Sequence, residues 1–345
     1  MSVQFRIINQ IPEVIHHYQI FDDKLFLLKG SINESYLSFT PIDKGDEISF
    51  KDFSAYDFIM AEKHIIFTTI HGDKSYAVDR FSGDVEQLPY VLHIKGHQHA
   101  GEYLCYGEYN ENEYFLKISL KTLSLQNKYP IDIGFGNVKY WKGGVFISTK
   151  GRNGVVGCFD MNSNDIWQIH LSDMCAYGDD EETIKAELSN IYTDSQNIYA
   201  LAGLSVVCIA VDSGEIQWHA KLDTAQSRGL VHSGFIYTTS GGYLNKINCK
   251  SGEIIYQVSF DYIMKSGRQD IGPISQLVWY DDGLWTIMDA NPSYLIKFNP
   301  SDGSYQEVIA LPELGITSDC HMPKFHNDRM YILDHNNTLH IFEQV

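Results

Sequence analysis

Asp212-Ser213-Gly214-Glu215-Ile216-Gln217-Trp218 returns in weaker copies along the whole chain. Cys249-Lys250-Ser251-Gly252-Glu253-Ile254-Ile255-Tyr256 repeats it almost unchanged. Asn299-Pro300-Ser301-Asp302-Gly303-Ser304-Tyr305 and Asp79-Arg80-Phe81-Ser82-Gly83-Asp84-Val85 keep the turn. Asp160-Met161-Asn162-Ser163-Asn164-Asp165-Ile166-Trp167 keeps the closing aromatic and puts Asn where Gly stood. A repeat at this scale sets the architecture, because each copy is one unit that must stack on its neighbours.

Around the clearest copy the chain reads as four short β-rich runs. They are Asn190-Ile191-Tyr192-Thr193, Ile198-Tyr199-Ala200-Leu201-Ala202, Val206-Val207-Cys208-Ile209-Ala210-Val211 and Ile216-Gln217-Trp218-His219-Ala220. Turn residues separate them: Asp can bond its own backbone, and Gly accepts positive φ. Four antiparallel strands joined by tight turns make one propeller blade. Similar units begin near Val14, Asp57, His97, Asn137, Asn190, Gly229 and Gln276.

Gly45 and Gly303 bracket six turn intervals averaging 43 residues, so 345 residues hold about eight blades. Seven is the alternative, because the third unit, at Lys121-Thr122-Leu123, has lost its turn glycine. The chain ends in three strand-like runs without a fourth, and Val3-Gln4-Phe5-Arg6-Ile7-Ile8 is a strand without a blade. Pairing them makes a composite last blade from residues 1–10 and 320–345 and removes exposed edges. The expectation is an all-β fold: a single β-propeller domain over residues 1–345, closed by its N-terminal strand.

An apolar strand followed by Asp-x-x-(Ser/Thr)-Gly-Glu-Ile-x-Trp resembles the repeat of the quinoprotein, or PQQ-like, β-propeller superfamily. That resemblance implies that Trp167 and Trp218 pack between neighbouring blades, with Tyr256 and Tyr305 approximating the position. Quinoprotein dehydrogenases of this fold use a vicinal Cys pair, a Ca²⁺ held by carboxylate and amide side chains, and an Asp base. This sequence has no Cys-Cys and no recognisable Ca²⁺ loop. Neither that chemistry nor a cofactor is expected. The related outer-membrane assembly lipoprotein carries a lipid-attachment Cys near its start, which is absent here.

Composition narrows the partners. Apolar residues make up 44% and charged residues 20%, enough for a substantial core. The net charge of -18 disfavours nucleic acid and anionic membrane, whose phosphates need clustered Lys and Arg. It favours a basic partner. Met1-Ser2-Val3-Gln4-Phe5-Arg6 does not open a signal peptide, and no apolar run reaches the roughly 18 residues that span a bilayer. Six scattered cysteines without a C-x-x-C pair predict reduced, buried thiols and a cytoplasmic protein.

Three clusters carry chemistry-bearing residues. His97-Gln98-His99, with His93 nearby, puts two imidazoles on one face of a strand, without an assignable third metal ligand. Asp319-Cys320-His321-Met322 with His326 sits near the predicted closure and offers groups for an acid/base role. Lys150-Gly151-Arg152-Asn153-Gly154 reads as a polar hairpin turn. With 14 histidines in the chain such pairs arise by chance, so satisfied polar residues at strand ends are the expected reading and no catalytic or metal site is assigned.

The connectors are unequal in length, and enlarged loops on one face of a rigid scaffold usually carry function. The acidic insert 172–189 contains Asp173, Tyr177, Asp179, Asp180, Glu181 and Glu182, with a short helix expected over residues 183–188. A second connector carries Tyr262, Arg268 and Asp270, and a third carries Asp319 and His321. These residues are the expected partner-binding surface. The function expected is a non-enzymatic, cytoplasmic, protein-binding propeller, monomeric when free. Its most concrete form is an immunity or inhibitor protein that neutralises a basic bacterial toxin. The alternatives are a propeller lyase or hydrolase acting on a sugar or small molecule in the central funnel, with His321 and Arg268 converging there, and a scaffold subunit of a larger assembly.

Overall fold

A computed structural model describes residues 5–31, 34–41, 48–50, 55–69, 71–93, 96–130, 138–142, 145–150, 154–160, 164–178, 183–226, 228–240, 243–259, 276–288 and 292–345. The fold is an all-β propeller of antiparallel blades. Among the described residues seven sheets have four strands, and an eighth has a four-strand path joined by a fifth short strand, His97–His99. Numbered along the chain, blade 1 begins at Val14–Phe21, blade 2 at Ala55–Met60, blade 3 at Val91–Leu92 and blade 4 at Val138–Lys142. Blade 5 begins at Leu188–Thr193, blade 6 at Arg228–His232, blade 7 at Val278–Tyr280 and blade 8 at Lys324–His326. Blade 3 therefore starts a few residues before the His97 predicted from the sequence. Two compact units are defined by their internal contacts, residues 13–150 with 156–169, and residues 1–12, 151–155 and 170–345.

The repeat turn recurs with one hydrogen-bond pattern. Gly83, Gly214, Gly252 and Gly303 each donate their N–H four residues back, to Asp79, Ala210, Asn248 and Asn299, at 2.8 to 2.9 Å. Each glycine has φ between +73° and +79°, a region in which a Cβ is strained. The side chain that caps the turn lies two residues before the position the sequence suggested. Asp79 Oδ1 accepts from Phe81 and Ser82 N–H at 2.8 and 2.9 Å. Asn248 Oδ1 does the same for Lys250 and Ser251. In blade 5 that position is Ala210, so Asp212 is not the cap.

Blade 3 keeps the turn without its glycine. Leu123 N–H reaches Ser119 O at 2.8 Å, with Leu123 itself at φ +55°. A left-handed leucine costs about 1–2 kcal/mol. Burial offsets this, because Leu123 packs in a cluster with Tyr90, Leu116 and Ile118, and Tyr90 Oη donates to its carbonyl at 2.6 Å. Loss of the glycine thus does not remove a blade.

In the unit holding blades 5 to 8, the wedge position works as the resemblance implied for two residues. Trp218 Nε1 donates to Cys249 O of blade 6 at 2.9 Å, and the indole covers Gly252. Tyr256 covers Gly303 of blade 7 in the same way, beside Lys246, whose Nζ donates to Pro300 O at 2.8 Å. Tyr305 instead packs on Phe298 within its own blade, at 5.3 Å between ring centroids.

The composite last blade is present. Phe5–Ile11 pairs antiparallel with Leu339–Gln344, from Phe5 opposite Gln344 to Ile11 opposite Leu339. Phe5 meets Trp285 edge-on at 5.7 Å, joining the core of blades 7 and 8. At the other end of this strand Gln10 Nε2 lies 3.1 Å from His340 Nδ1, and His340 Nε2 lies 2.9 Å from Asp334 Oδ2. His340 and Asp334 are buried.

Candidate functional site

The insert of residues 171–187 leaves blade 4 and returns to blade 5. One helical turn, Leu171–Met174, begins where Leu171 N–H reaches Gly154 O at 2.7 Å. The return leg is tied back by Ala186 N–H to Ser172 O at 3.0 Å, and Gly203 N–H reaches Glu187 O at 3.2 Å. Leu171, Cys175 and Ala186 are buried at its base. Between the legs Tyr177 pairs with Ile184 and Gly178 with Thr183.

The helix expected over residues 183–188 does not form. Thr183–Ile184 is a strand of that small ladder and Leu188 opens blade 5. Burying Ala186 and Leu188 against the blade outweighs local helix propensity, a weak preference that tertiary contacts override.

Of the expected binding residues, Asp173, Tyr177, Asp319 and His321 are among those described. Asp173 pairs with Lys185 at 3.0 Å, with both side chains more than 70% exposed, so the pair contributes little to stability. Tyr177 supports the insert: its ring lies against Gly203, where an added Cβ would come within 3.0 Å of Cδ1. Asp179, Asp180, Glu181 and Glu182, which follow Gly178 in sequence, fall outside the described residues, as do Tyr262, Arg268 and Asp270.

Asp319 and His321 lie between the short 3-10 helix Leu311–Leu314 and blade 8, with their side chains exposed. The structure brings them to His335, which the sequence did not single out. His335 N–H donates to Asp319 O at 2.7 Å, and the His321 and His335 rings are 5.0 Å apart. His326 is held apart from them. It pairs with Arg329 at the Asn327-Asp328 hairpin, at the opposite end of the blade 8 strand Arg329–Leu333.

Under the insert a further polar group escaped the sequence reading. Ser205 Oγ lies 2.8 Å from His219 Nε2 and also bonds the Cys175 thiol. Burial pushes the Cys175 pKa up and the His219 pKa down. Ser205 is itself buried, so this group fastens the insert to blade 5. None of the six cysteines is in a disulfide.

His97 and His99 pair with Leu104 and Glu102 on one face of their short strand. Among the described residues no group of three or more His, Cys, Asp or Glu is gathered as a metal site. Burial, and to a lesser degree the neighbouring His99, hold the His97 pKa below the usual histidine range. Folding therefore favours neutral His97. Its contribution to stability is complete above the ordinary pKa of about 6.5 and declines as pH falls below it through the folded value. His97→Gln is expected to flatten the loss of stability between about pH 7 and pH 5, read as denaturation midpoints. An unchanged slope would refute the assignment.

Among the described residues no helix is long and apolar enough to cross a membrane. The sequence matches no protein-family profile and no curated protein. Its fold does match solved structures. BamB from Moraxella catarrhalis is 10% identical, with 99% of this chain and 100% of that one covered at a TM-score of 0.64. Saccharomyces cerevisiae Sqt1 is 9% identical, with 98% and 99% covered at 0.65. Dihydro-heme d1 dehydrogenase NirN is 8% identical, with 86% of this chain and 66% of that one covered at 0.63. At these identities the likeness establishes the propeller and nothing finer.

Proposed function

We propose that this chain is a non-enzymatic protein-binding propeller that meets a basic partner through the acidic insert of residues 171–187. The observation that carries the reading is the construction of that insert. A hydrogen-bonded base with three buried residues and an aromatic support holds a two-rung ladder, and the four residues between its strands in sequence are all acidic. Loops that serve only to connect need no such anchoring. With a net charge of -18, the chain attracts a cationic partner at long range, which raises association rate more than final affinity.

The most concrete form is a cytoplasmic immunity or inhibitor protein, monomeric when free, that neutralises a basic toxin. Affinity capture from the native host tests it. A stoichiometric basic partner is expected. With that partner purified, changing Asp179, Asp180, Glu181 and Glu182 to Lys slows association by about 10–100-fold and removes most of its salt dependence. Equal rates for the variant and the parent chain would refute the role given to the insert.

A further inference from the structure

We propose that His321 and His335, with Asp319 as a recruitable third donor, form a binding site for a borderline divalent cation of the zinc class. The backbone holds these residues in place. Cys320 and Asp334 form an isolated antiparallel bridge, and both are buried. On either side of it His321 N–H donates to Leu333 O at 2.8 Å and His335 N–H donates to Asp319 O at 2.7 Å. Side chains alternate along such a ladder. Asp319 and His321 therefore leave the face opposite to Cys320, and His335 leaves it beside them as the directly opposed and the diagonal neighbour. All three side chains are exposed while the bridge residues point inward.

The spacing of the rings suits a chelate. A zinc–nitrogen bond of about 2.1 Å places the metal about 3.2 Å from each ring centroid. Two centroids 5.0 Å apart then subtend about 100° at the metal, close to a tetrahedral angle. Only one nitrogen of each ring is needed, and a hydrogen bond at the other orients a ligating imidazole.

Asp319 does not yet converge with the histidines. Its Oδ1 faces Ser293 Oγ at 3.4 Å, a long contact that a side-chain rotation can exchange for the metal. Two histidines and one carboxylate would leave the fourth position to water or to an incoming ligand. This site stands independently of the protein-binding role proposed above.

Titration of the full chain with zinc chloride by calorimetry tests it, with cobalt substitution as the spectroscopic readout. One ion per chain is expected, with the visible absorption of tetrahedral cobalt. His321→Ala and His335→Ala should each weaken binding at least about tenfold, and Asp319→Asn a few-fold at the same stoichiometry. His97→Ala combined with His99→Ala should leave the affinity unchanged. All three site residues are exposed, so these variants are expected to fold. His321→Gln offers a second check, with unchanged circular dichroism and the same loss of binding. Zinc binding that survives the loss of both His321 and His335, or no binding by the parent chain at millimolar zinc, would overturn the site. Unaltered affinity in Asp319→Asn would overturn the part given to the carboxylate.

Discussion

Replacing Gly252 with alanine is expected to cost about 2–5 kcal/mol of stability, through two additive causes. The first is conformational: Gly252 sits at φ +73°, where a Cβ costs about 1–2 kcal/mol. The second is steric. The new Cβ would lie 2.7 Å from Trp218 Cδ2 and 2.9 Å from Cγ, atoms at the base of the indole. That ring has no free end to swing away, and its Nε1 is tied to Cys249 O. Overpacking of this kind adds about 1–3 kcal/mol.

Gly234 in the same blade separates the two causes. Its φ is +78°, yet a Cβ there meets nothing within 4 Å. Gly234→Ala should cost only the conformational part, about 1–2 kcal/mol. Denaturant midpoints compare the two variants. A cycle with Trp218→Ala should recover the steric part, appearing as a coupling of about 1 kcal/mol or more. Equal costs at Gly252 and Gly234, or no coupling to Trp218, would show that the wedge contributes nothing.

The same comparison shows why the fold was legible in the sequence. A turn that needs a left-handed residue, followed by an aromatic that needs a glycine to cover, leaves two marks at fixed spacing. Gly214 with Trp218 and Gly252 with Tyr256 supply both. Blade 3 hides its first mark because Leu123 takes the strained position and recovers the cost by burial beside Tyr90. That exchange depends on a neighbour far away in sequence. Position within the repeat was read less well. The turn cap falls at Asp79, Asn248 and Asn299, and its absence at Ala210 becomes visible only once the hydrogen bonds are known.

The candidate site was legible as a region and not as chemistry. Long connectors and the charge at residues 179–182 stand out by composition alone. The arrangement of the insert did not, because residues 183–188 have a helix-like sequence that loses to the burial of Ala186 and Leu188. The meeting of His321 with His335 was equally hidden. It depends on the bridge between Cys320 and Asp334, and no local pattern marks His335 as the partner of a histidine in the preceding connector.

Asp334 is one half of that bridge, and Asp334→Ala is expected to cost about 3–5 kcal/mol, the scale of leaving several buried donors without their charged acceptor. Oδ1 accepts from Asn336 N–H at 3.0 Å and Thr338 N–H at 2.8 Å, while Oδ2 faces His340 Nε2 at 2.9 Å. Alanine leaves all three donors without their acceptor, in a place where the Asp334 and His340 side chains are only 6% and 4% exposed. The damage should travel to the N-terminal strand. His340 Nδ1 receives Gln10 Nε2, so an imidazole that loses Asp334 no longer holds its orientation toward Gln10. Asp334→Asn supplies the contrast. Its amide oxygen can still cap the turn, and its NH₂ meets His340 if the ring changes tautomer and the Gln10 amide turns over. That rewiring keeps every donor matched, so the cost should fall to about 1–2 kcal/mol. Hydrogen exchange gives the structural readout. In Asp334→Ala the amides of Phe5–Ile11 should exchange well before those of the blade 7 strand Gly283–Met288, whereas in Asp334→Asn the two should stay close. If Asp334→Ala proves as stable as Asp334→Asn, or if Phe5–Ile11 keeps its protection, the chain from Asp334 through His340 to Gln10 does not fasten the N-terminal strand.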